Sequence, residues 1–501
     1  MKKYIIILTI LFSGCVESFL EENPKSDITE DSFFGEETSE LAVEQYINAI
    51  YQSNIWAIWD VRWHWFSEVP ADAFSHTLTF DAEGQEYDNH NFNADQYNVY
   101  RMWAYLWWPI ARANLFLDKY ENLEENHGEE WTKLKWFKGQ ALFFRAYNYF
   151  MGLQMWGPIP LVLTPPDGSN HTNSTVPELY NQAIADLLEI VDNGLCPEFN
   201  QIENNDLGRI TMGAAKSLLA KVYLTRAYSE AAESSDIQNA VNFAKDVVEN
   251  SGYGLITEPD LDENGDTLFT AYEKPFLPEY KNSIEGIWEY QFVEGAGRSK
   301  LNEEYAPPGY FGNWGKARFE ATPLLYNSFE SGDTRKKVYI TGEVVSPESG
   351  EIVDYGDKIY MVKFHDPDYS HTAGNLENNF PFIRFADMLL IYAEALNQLN
   401  SGPTQEAYDA INRVRNRAGL PDLSGSHDYE SFLKAVQDER FKELAGEGQR
   451  LYDLRRWGFN TLKERVELSN SRASVEAHEV LWPIPSYELG MNPEINQNAG
   501  Y

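Results

Sequence analysis

The sequence predicts a mostly α protein: a tetratricopeptide-like helical-repeat scaffold with a large loop-rich insertion carrying short β-hairpins. Three observations predict it. Amphipathic runs with apolar residues at helical spacing recur as pairs, at roughly the 35- to 45-residue period of helical repeats. Small residues in the middle runs (Ala214, Ala215, Ala220, Ala227, Ala240, Ala244) permit close antiparallel packing. Between residues 254 and 357 the helical period fades while Gly, Pro, Asn, Tyr and Trp rise. The expected organisation is a single domain over 36–501, with scaffold at 36–253 and 382–501 and insertion at 254–381. At 501 residues the chain is long enough to bury a large core.

In order, residues 1–14 read as a signal peptide. Lys2 and Lys3 are a basic n-region, and Tyr4–Phe12 is apolar but too short for a permanent span. Phe12-Ser13-Gly14-Cys15 resembles a lipobox, with Phe in place of the usual Leu, and implies lipid on Cys15. A secretory signal with an incidental cysteine is the alternative. Residues 15–35 are acidic, hold Pro24 and lack periodicity, the composition of a tether. Leu41, Tyr46, Ile47 and Ile50 predict a helix over Glu36–Tyr51. Trp56–Asn98 has no clear period and reads mostly as long loop, which in a compact domain is functional or disordered. Helices follow at Tyr100–Tyr120, with Pro109 a candidate kink, and at Trp131–Trp156. Trp103, Trp107, Trp108, Trp136 and Trp156 are assigned to the core. Further helices are expected at Val176–Asp192, Met212–Tyr228 and Asp236–Asn250. Cys196 reads as an inert small residue, and two cysteines make no disulfide framework.

In the insertion, Ile284–Phe292 reads as a strand, and Gly295–Gly315 as a long loop with four aromatics. Tyr339–Ile359 reads as hairpin, turned at Glu348-Ser349-Gly350. Helices return at Phe382–Asn400, Thr404–Ala418 and Ser431–Ala445. The last breaks where Gly446 and Gly448 bracket Glu447, since Gly is unfavourable inside a helix. A short run with Leu451, Leu454 and Trp457 on one stripe follows. Around the break Glu439, Arg440, Glu443, Glu447, Arg450, Asp453, Arg455 and Arg456 alternate in sign, which predicts ion pairs along or between helices.

Composition and missing motifs exclude several functions. The 78 Asp+Glu against 40 Lys+Arg give a net charge of −38, or −40 without Lys2 and Lys3. A nucleic-acid duplex, which needs clustered Lys and Arg, is excluded as a partner. A neutral glycan suits this field better than an anionic one, unless a local basic pocket overrides it. The 14 Trp and 30 Tyr exceed the needs of a helical scaffold; such rings serve either as apolar platforms for sugars or as core filling. The chain has no phosphate-binding Gly loop, no HExxH or Cys/His metal spacing and no GxSxG elbow. With so many carboxylates, no glycosidase pair can be singled out. Asp260, Asp262, Asn264 and Asp266 resemble the start of a calcium loop that lacks its closing Glu; a solvated acidic turn is the alternative.

Several segments resemble one family in the same order. Cys15 precedes an acidic stretch and then Phe33-Phe34. Gly157-Pro158-Ile159-Pro160 ends a helix abruptly. Thr322, Pro323, Leu325, Phe329, Asp333 and Arg335 follow the pattern PT..L...F...D.R. FIRFADMLLIYAEA (382–395), NRVRNRAGL (412–420), DERFKELAGEGQRLYDLRRWG (438–458) and LWPIPSYELGMNPEINQNAGY (481–501) complete the set. Together they resemble the SusD/RagB family of Bacteroidetes nutrient-uptake lipoproteins.

The resemblance implies a non-catalytic, lipid-anchored protein of the cell outer membrane, exposed at the surface. Such a protein captures oligo- or polysaccharide and delivers it to a TonB-dependent SusC-like transporter. It also implies a shallow glycan site built from the two irregular stretches, here Arg62–Asn98 and Arg298–Arg318. The expected residues are Trp314 and Tyr310 as stacking platforms, supported by Tyr305. Asn302, Arg298, Asp72 and His76 would contact hydroxyls, and Trp63 or Trp65 would form a second platform. Two other readings stay open: a tetratricopeptide-type scaffold or binder of a non-glycan nutrient, and a lipid-anchored glycosidase. Lack of exposed aromatics would favour the first, and glycan hydrolysis lost with one carboxylate the second.

Overall fold

A computed structural model of the chain describes residues 33–35, 37–59, 61–78, 81–293, 299–310, 315–366 and 376–501. Helix α1 (Glu40–Trp59), α2 (Arg62–Ser67), β1 (Phe74–His76) and α3 (Ala82–Asp88) lead into five long helices. These are α4 (Tyr97–His127), α5 (Leu134–Trp156), α6 (Val176–Asp192), α7 (Met212–Ala227) and α8 (Asp236–Asn250). From α4 to α8 each helix packs on the next, and α1 lies against α4 and α5. This is the expected row of helix hairpins, each covering an apolar face its neighbour leaves open. Local chemistry sets the starts. Thr175 and Glu178 form a capping box at α6, with a proline in the first turn. Pro109 sits within an unbroken α4.

The insertion contributes β2 (Asp260–Leu261), β3 (Thr267–Phe269), β4 (Gly286–Tyr290), α9 (Leu301–Tyr305), β5 (Phe319–Ala321), α10 (Pro323–Tyr326), β6 (Tyr339–Ile340), β7 (Glu343–Val345), β8 (Ile352–Asp354), β9 (Tyr360–Met361) and β10 (Phe380–Arg384). Its neck is closed by β4 pairing antiparallel with β10, Phe380 opposite Tyr290. The β7–β8 hairpin turns over the predicted Glu348–Gly350. The chain returns to the scaffold with α11 (Phe385–Leu399), which packs on α8, then α12 (Gln405–Arg417) and α13 (Tyr429–Glu443). It ends with α14 (Arg450–Arg456), α15 (Phe459–Ser469) and α16 (Ser486–Met491).

One expectation is corrected. Trp56–Asn98 is not mostly long loop: α1 runs on to Trp59, and α2, β1 and α3 fill much of the rest. Trp63, Trp65, Phe66, Phe74 and Tyr87 are all buried there. A segment buried on every side shows no amphipathic period, so its elements are silent to a periodicity test.

The break at Gly446–Gly448 is where scaffold, insertion and N-terminal segment meet. Glu443 lies among Arg335 (3.0 Å), Arg384 (2.6 Å) and Arg417. Glu447 takes Arg384 (2.6 Å) and Lys363 (2.5 Å), while Glu285 faces Arg384 and Arg417 (3.0 and 3.1 Å). Arg440 joins Asp387 on α11 (2.8 Å) to Asp453 on α14 (2.7 Å). The predicted ion pairs are therefore mostly between segments, and buried.

Glu68 enters the break from α2's end, accepting the N–H groups of Gly448 (2.6 Å) and Gly446 (3.3 Å). Burial pushes its carboxyl up to about 8, against those two hydrogen bonds. A carboxyl raised on folding stabilises fully below its unfolded pKa of about 4.5, and that stability is lost as pH rises through 8. Glu68→Gln is thus expected to flatten the decline of stability between pH 5 and 8 in urea titrations. An unchanged pH slope in the variant would rule this out.

Candidate functional site

The two irregular stretches singled out from sequence do meet: β1 pairs antiparallel with β5, Phe74 opposite Ala321 and His76 opposite Phe319. Arg318 ties them, reaching Asp81 (2.6 Å) and Glu304 (2.5 Å). Trp314 and Arg298 lie outside the described residues. Tyr310 is half-buried, packed against the small cluster of Ala317, Ile340 and Tyr360.

Six of the proposed contacts are instead enclosed, and the structure corrects them. Asp72 is fully buried and held by Arg450 and Arg465, each at 2.6 Å. Burial opposes its charge, but the two guanidiniums prevail and hold its carboxyl below the usual range. His76 is buried 3.5 Å from Asp81, edge-on to Trp65. Trp63 is buried against Phe382 and Tyr452, and Trp65 lies beneath the Arg318 guanidinium. Tyr305 is packed among Phe74, Phe319, Phe364 and His64, and Asn302 is buried beside it on α9. A ring enclosed on all sides offers no face to a sugar. Trp108 departs in the other direction: assigned to the core, it is 37% exposed.

The calcium-like stretch is a hairpin turn. Asp262 accepts the N–H groups of Asn264 (2.8 Å) and Asp266 (2.9 Å), and Gly265 takes the left-handed conformation. Asp260 is engaged by Lys274 (2.7 Å) and Tyr280 (2.8 Å). Among the described residues no group of three or more His, Cys, Asp or Glu converges as metal ligands.

The open concavity lies elsewhere. A groove of about 440 Å³ runs between α1 and the outgoing end of β4. Tyr51, Phe144, Trp288 and Tyr290 contribute apolar lining, and Asn205, Leu207, Gly208 and Arg209 line it from the α6–α7 connection. Trp56, 36% exposed, and the exposed Leu207 and Val293 are apolar. Asn48, Gln52 and Asn205 are exposed, and no hydrogen bond engages their side-chain amides among the described residues. Arg209, by contrast, is committed to Glu44 (2.8 Å) and Asp206 (3.0 Å). Among the described residues that line the groove, Glu289 is the single carboxylate. Its Oε2 accepts from Asn379 and the Asn282 backbone, while among the described residues Oε1 has no hydrogen-bond partner. Burial pushes this carboxyl up to about 7.

Apolar ring faces beside unengaged amides match the two-sided chemistry of a sugar, with C–H groups on one face and hydroxyls at the rim. Sequence reasoning missed this groove because it ended the first helix at Tyr51. Continued to Trp59, the helix places Asn48, Gln52 and Trp56 on one i, i+4, i+8 stripe, the signal that was there to be found.

A model described as the SusD family matches residues 356–501, and one described as starch-binding associating with outer membrane matches residues 18–224. SusD-like protein P2 of Formosa agariphila is 26% identical, over 100% of both chains. The crystal structure of a SusD homolog from Bacteroides thetaiotaomicron superposes with a TM-score of 0.79 at 22% identity, covering 92% of this chain and 97% of that one. A structure titled laminarin binding SusD-like protein gives 0.71 at 23% identity, covering 92% and 100%. Among the described residues no helix is long and apolar enough to cross a membrane. With matches at both ends of the chain and the same helical architecture throughout, the protein belongs to the SusD family.

Proposed function

We propose that this protein is a non-catalytic glycan-binding lipoprotein of the outer-membrane surface. It is anchored through lipid on Cys15 and passes captured oligo- or polysaccharide to a TonB-dependent SusC-like transporter. The observation that carries the reading is the groove beside α1, where exposed Trp56 stands among the unengaged amides of Asn48, Gln52 and Asn205. Support comes from the family description, which joins starch binding to the outer membrane, and from the laminarin-binding neighbour of the same fold. Trp314, Arg298 and Tyr310, from the insertion sequence, remain our assignment for a second contact.

Affinity electrophoresis of the chain from Val16, through gels carrying different polysaccharides, tests this. Retardation by at least one glycan is expected. Trp56→Ala is expected to weaken it about tenfold, the effect of ~1.4 kcal/mol lost from one stacked ring. If Trp314→Ala weakens retardation and Trp56→Ala does not, the site moves to the insertion. No retardation in any gel would overturn the glycan-binding reading.

A further inference from the structure

On the other side of α1 lies a second cleft, of about 310 Å³, between α1 and α4. It is lined by Ala49, Gln52, Ser53 and Trp56 from α1, and by Arg101, Trp108 and Arg112 from α4. Gln52 and Trp56 line both this cleft and the groove, so the two share a wall. A ligand crossing Trp56 passes from one to the other. The volume is at the lower end of the about 300–1,000 Å³ typical of small-ligand pockets.

The charge of this cleft is opposite to that of the protein. The chain carries net −38, yet no Asp or Glu occurs in residues 45–59 of α1 or in residues 97–117 of α4. The charged side chains in those two stretches are Arg101 and Arg112. Neither arginine has a carboxylate partner among the described residues. Arg101 donates to the Tyr105 hydroxyl (2.7 Å) and lies over the Tyr105 and Trp108 rings, at 4.9 and 5.9 Å. Its Nε is buried and makes no hydrogen bond among the described residues. The Arg112 guanidinium makes no hydrogen bond or ion pair among the described residues. Arg209, by contrast, is paired with Glu44 and Asp206, and Arg145 with Asp186. Two guanidiniums left with donors to spare, beside exposed indoles, present charge-assisted donors to an anion.

We propose that this cleft binds an anionic substituent of the glycan, a sulfate ester or a uronate carboxylate, with Arg101 and Arg112 as the cationic contacts and Trp56 and Trp108 against the sugar rings. The two arginines are eleven residues apart on one helix stripe, about 16 Å along the axis at ~1.5 Å per residue. Two cationic contacts on separate turns of one helix suit a polymer carrying anionic groups at intervals. The acidic remainder of the surface repels such a polymer, which restricts its approach to this cleft. The inference rests on the glycan-binding reading and changes the expected ligand class from neutral to anionic.

The test is affinity electrophoresis and calorimetry of the chain from Val16. The probes are a sulfated galactan, the same galactan after desulfation, a polyuronate and a neutral β-glucan. The expected result is at least tenfold tighter binding of the sulfated galactan or the polyuronate than of the neutral glucan. That preference weakens with added salt and falls at least tenfold in Arg101→Gln/Arg112→Gln, with an unchanged melting temperature. Loss on desulfation identifies a sulfate ester, whereas preference for the polyuronate identifies a carboxylate. Binding of the neutral glucan alone, or undiminished binding of the anionic glycan by the double variant, overturns this inference and leaves glycan capture standing. No binding of any probe overturns both.

Discussion

Glu443→Ala is expected to destabilise the protein by about 3–5 kcal/mol, the range for removing one partner from a buried ion pair. Set against a total stability of about 5–15 kcal/mol, that change brings the chain close to unfolding at ambient temperature. The size follows from what is left behind. Arg335, Arg384 and Arg417 all converge on this carboxylate and all are buried. Arg335 keeps Asp333 and Glu439, and Arg384 keeps Glu285 and Glu447, but Arg417 keeps Glu285 alone. Each guanidinium then remains in low dielectric with less compensation. Glu443→Gln retains the volume and an acceptor, and its cost is expected to be smaller.

The pH dependence has a definite sign. Burial disfavours charge on Glu443, but Arg417, Arg384 and Arg335 together overcome it and hold the carboxyl far below the usual carboxylate range. A carboxyl depressed on folding stabilises fully above its unfolded pKa of about 4.5, and that contribution is lost as pH falls toward the folded value. Wild type should therefore lose stability steeply below pH 4.5, and both Glu443 variants should show a shallower acid limb. Urea unfolding at a series of pH values measures this. A loss below 1 kcal/mol in Glu443→Ala at pH 7 would show that the network does not hold the three segments together.

Gly448→Ala is expected to rank next. Gly448 has φ +72°, a conformation costing an L-residue roughly 1–2 kcal/mol. A Cβ there would also overlap the indole nitrogen of Trp63, a buried ring wedged between Phe382 and Tyr452. Forcing extra volume into such packing costs about 1–3 kcal/mol more. One neighbour calibrates the prediction. Gly446, at φ +79°, would meet the Met361 methyl, the far end of a flexible side chain, and should cost less. Gly458, at φ +105° and ψ 161°, has open space around it but lies in an extended positive-φ region that is essentially reserved for glycine, so its loss reports a different backbone term. Thermal unfolding of the Gly448 and Gly446 alanine variants should give Gly448 the larger loss. Equal losses at the two would remove the Trp63 contact from the explanation.

Much of the scaffold was legible because its signals are local. The helices Val176–Asp192 and Asp236–Asn250 show their period between a buried and an exposed face, and helix starts carry capping chemistry such as Thr175 with Glu178. The hairpin turn at Glu348–Gly350 and the double-glycine break are likewise written in neighbouring residues. The site was much less legible. Trp56, Trp63, Trp65 and Trp108 look alike in the sequence, each an aromatic in an apolar neighbourhood. Partners far along the chain separate them: Trp63 is covered by Phe382, Gly448 and Tyr452, while Trp56 and Trp108 face the cleft between α1 and α4.

By itself the sequence determined the family, the mostly α scaffold and the double-glycine break after Ala445. Each of these rests on periodicity, spacing or backbone conformation within a few residues. Tertiary structure alone decided which aromatics and charges face water. Asp72 ceased to be a candidate ligand because Arg450 and Arg465, from the other end of the chain, neutralise it in the core. Arg101 and Arg112 became candidates because folding set two carboxylate-free helix faces side by side. Burial and pairing are sums over neighbours in space, and those neighbours are hundreds of residues away in sequence or on another helix.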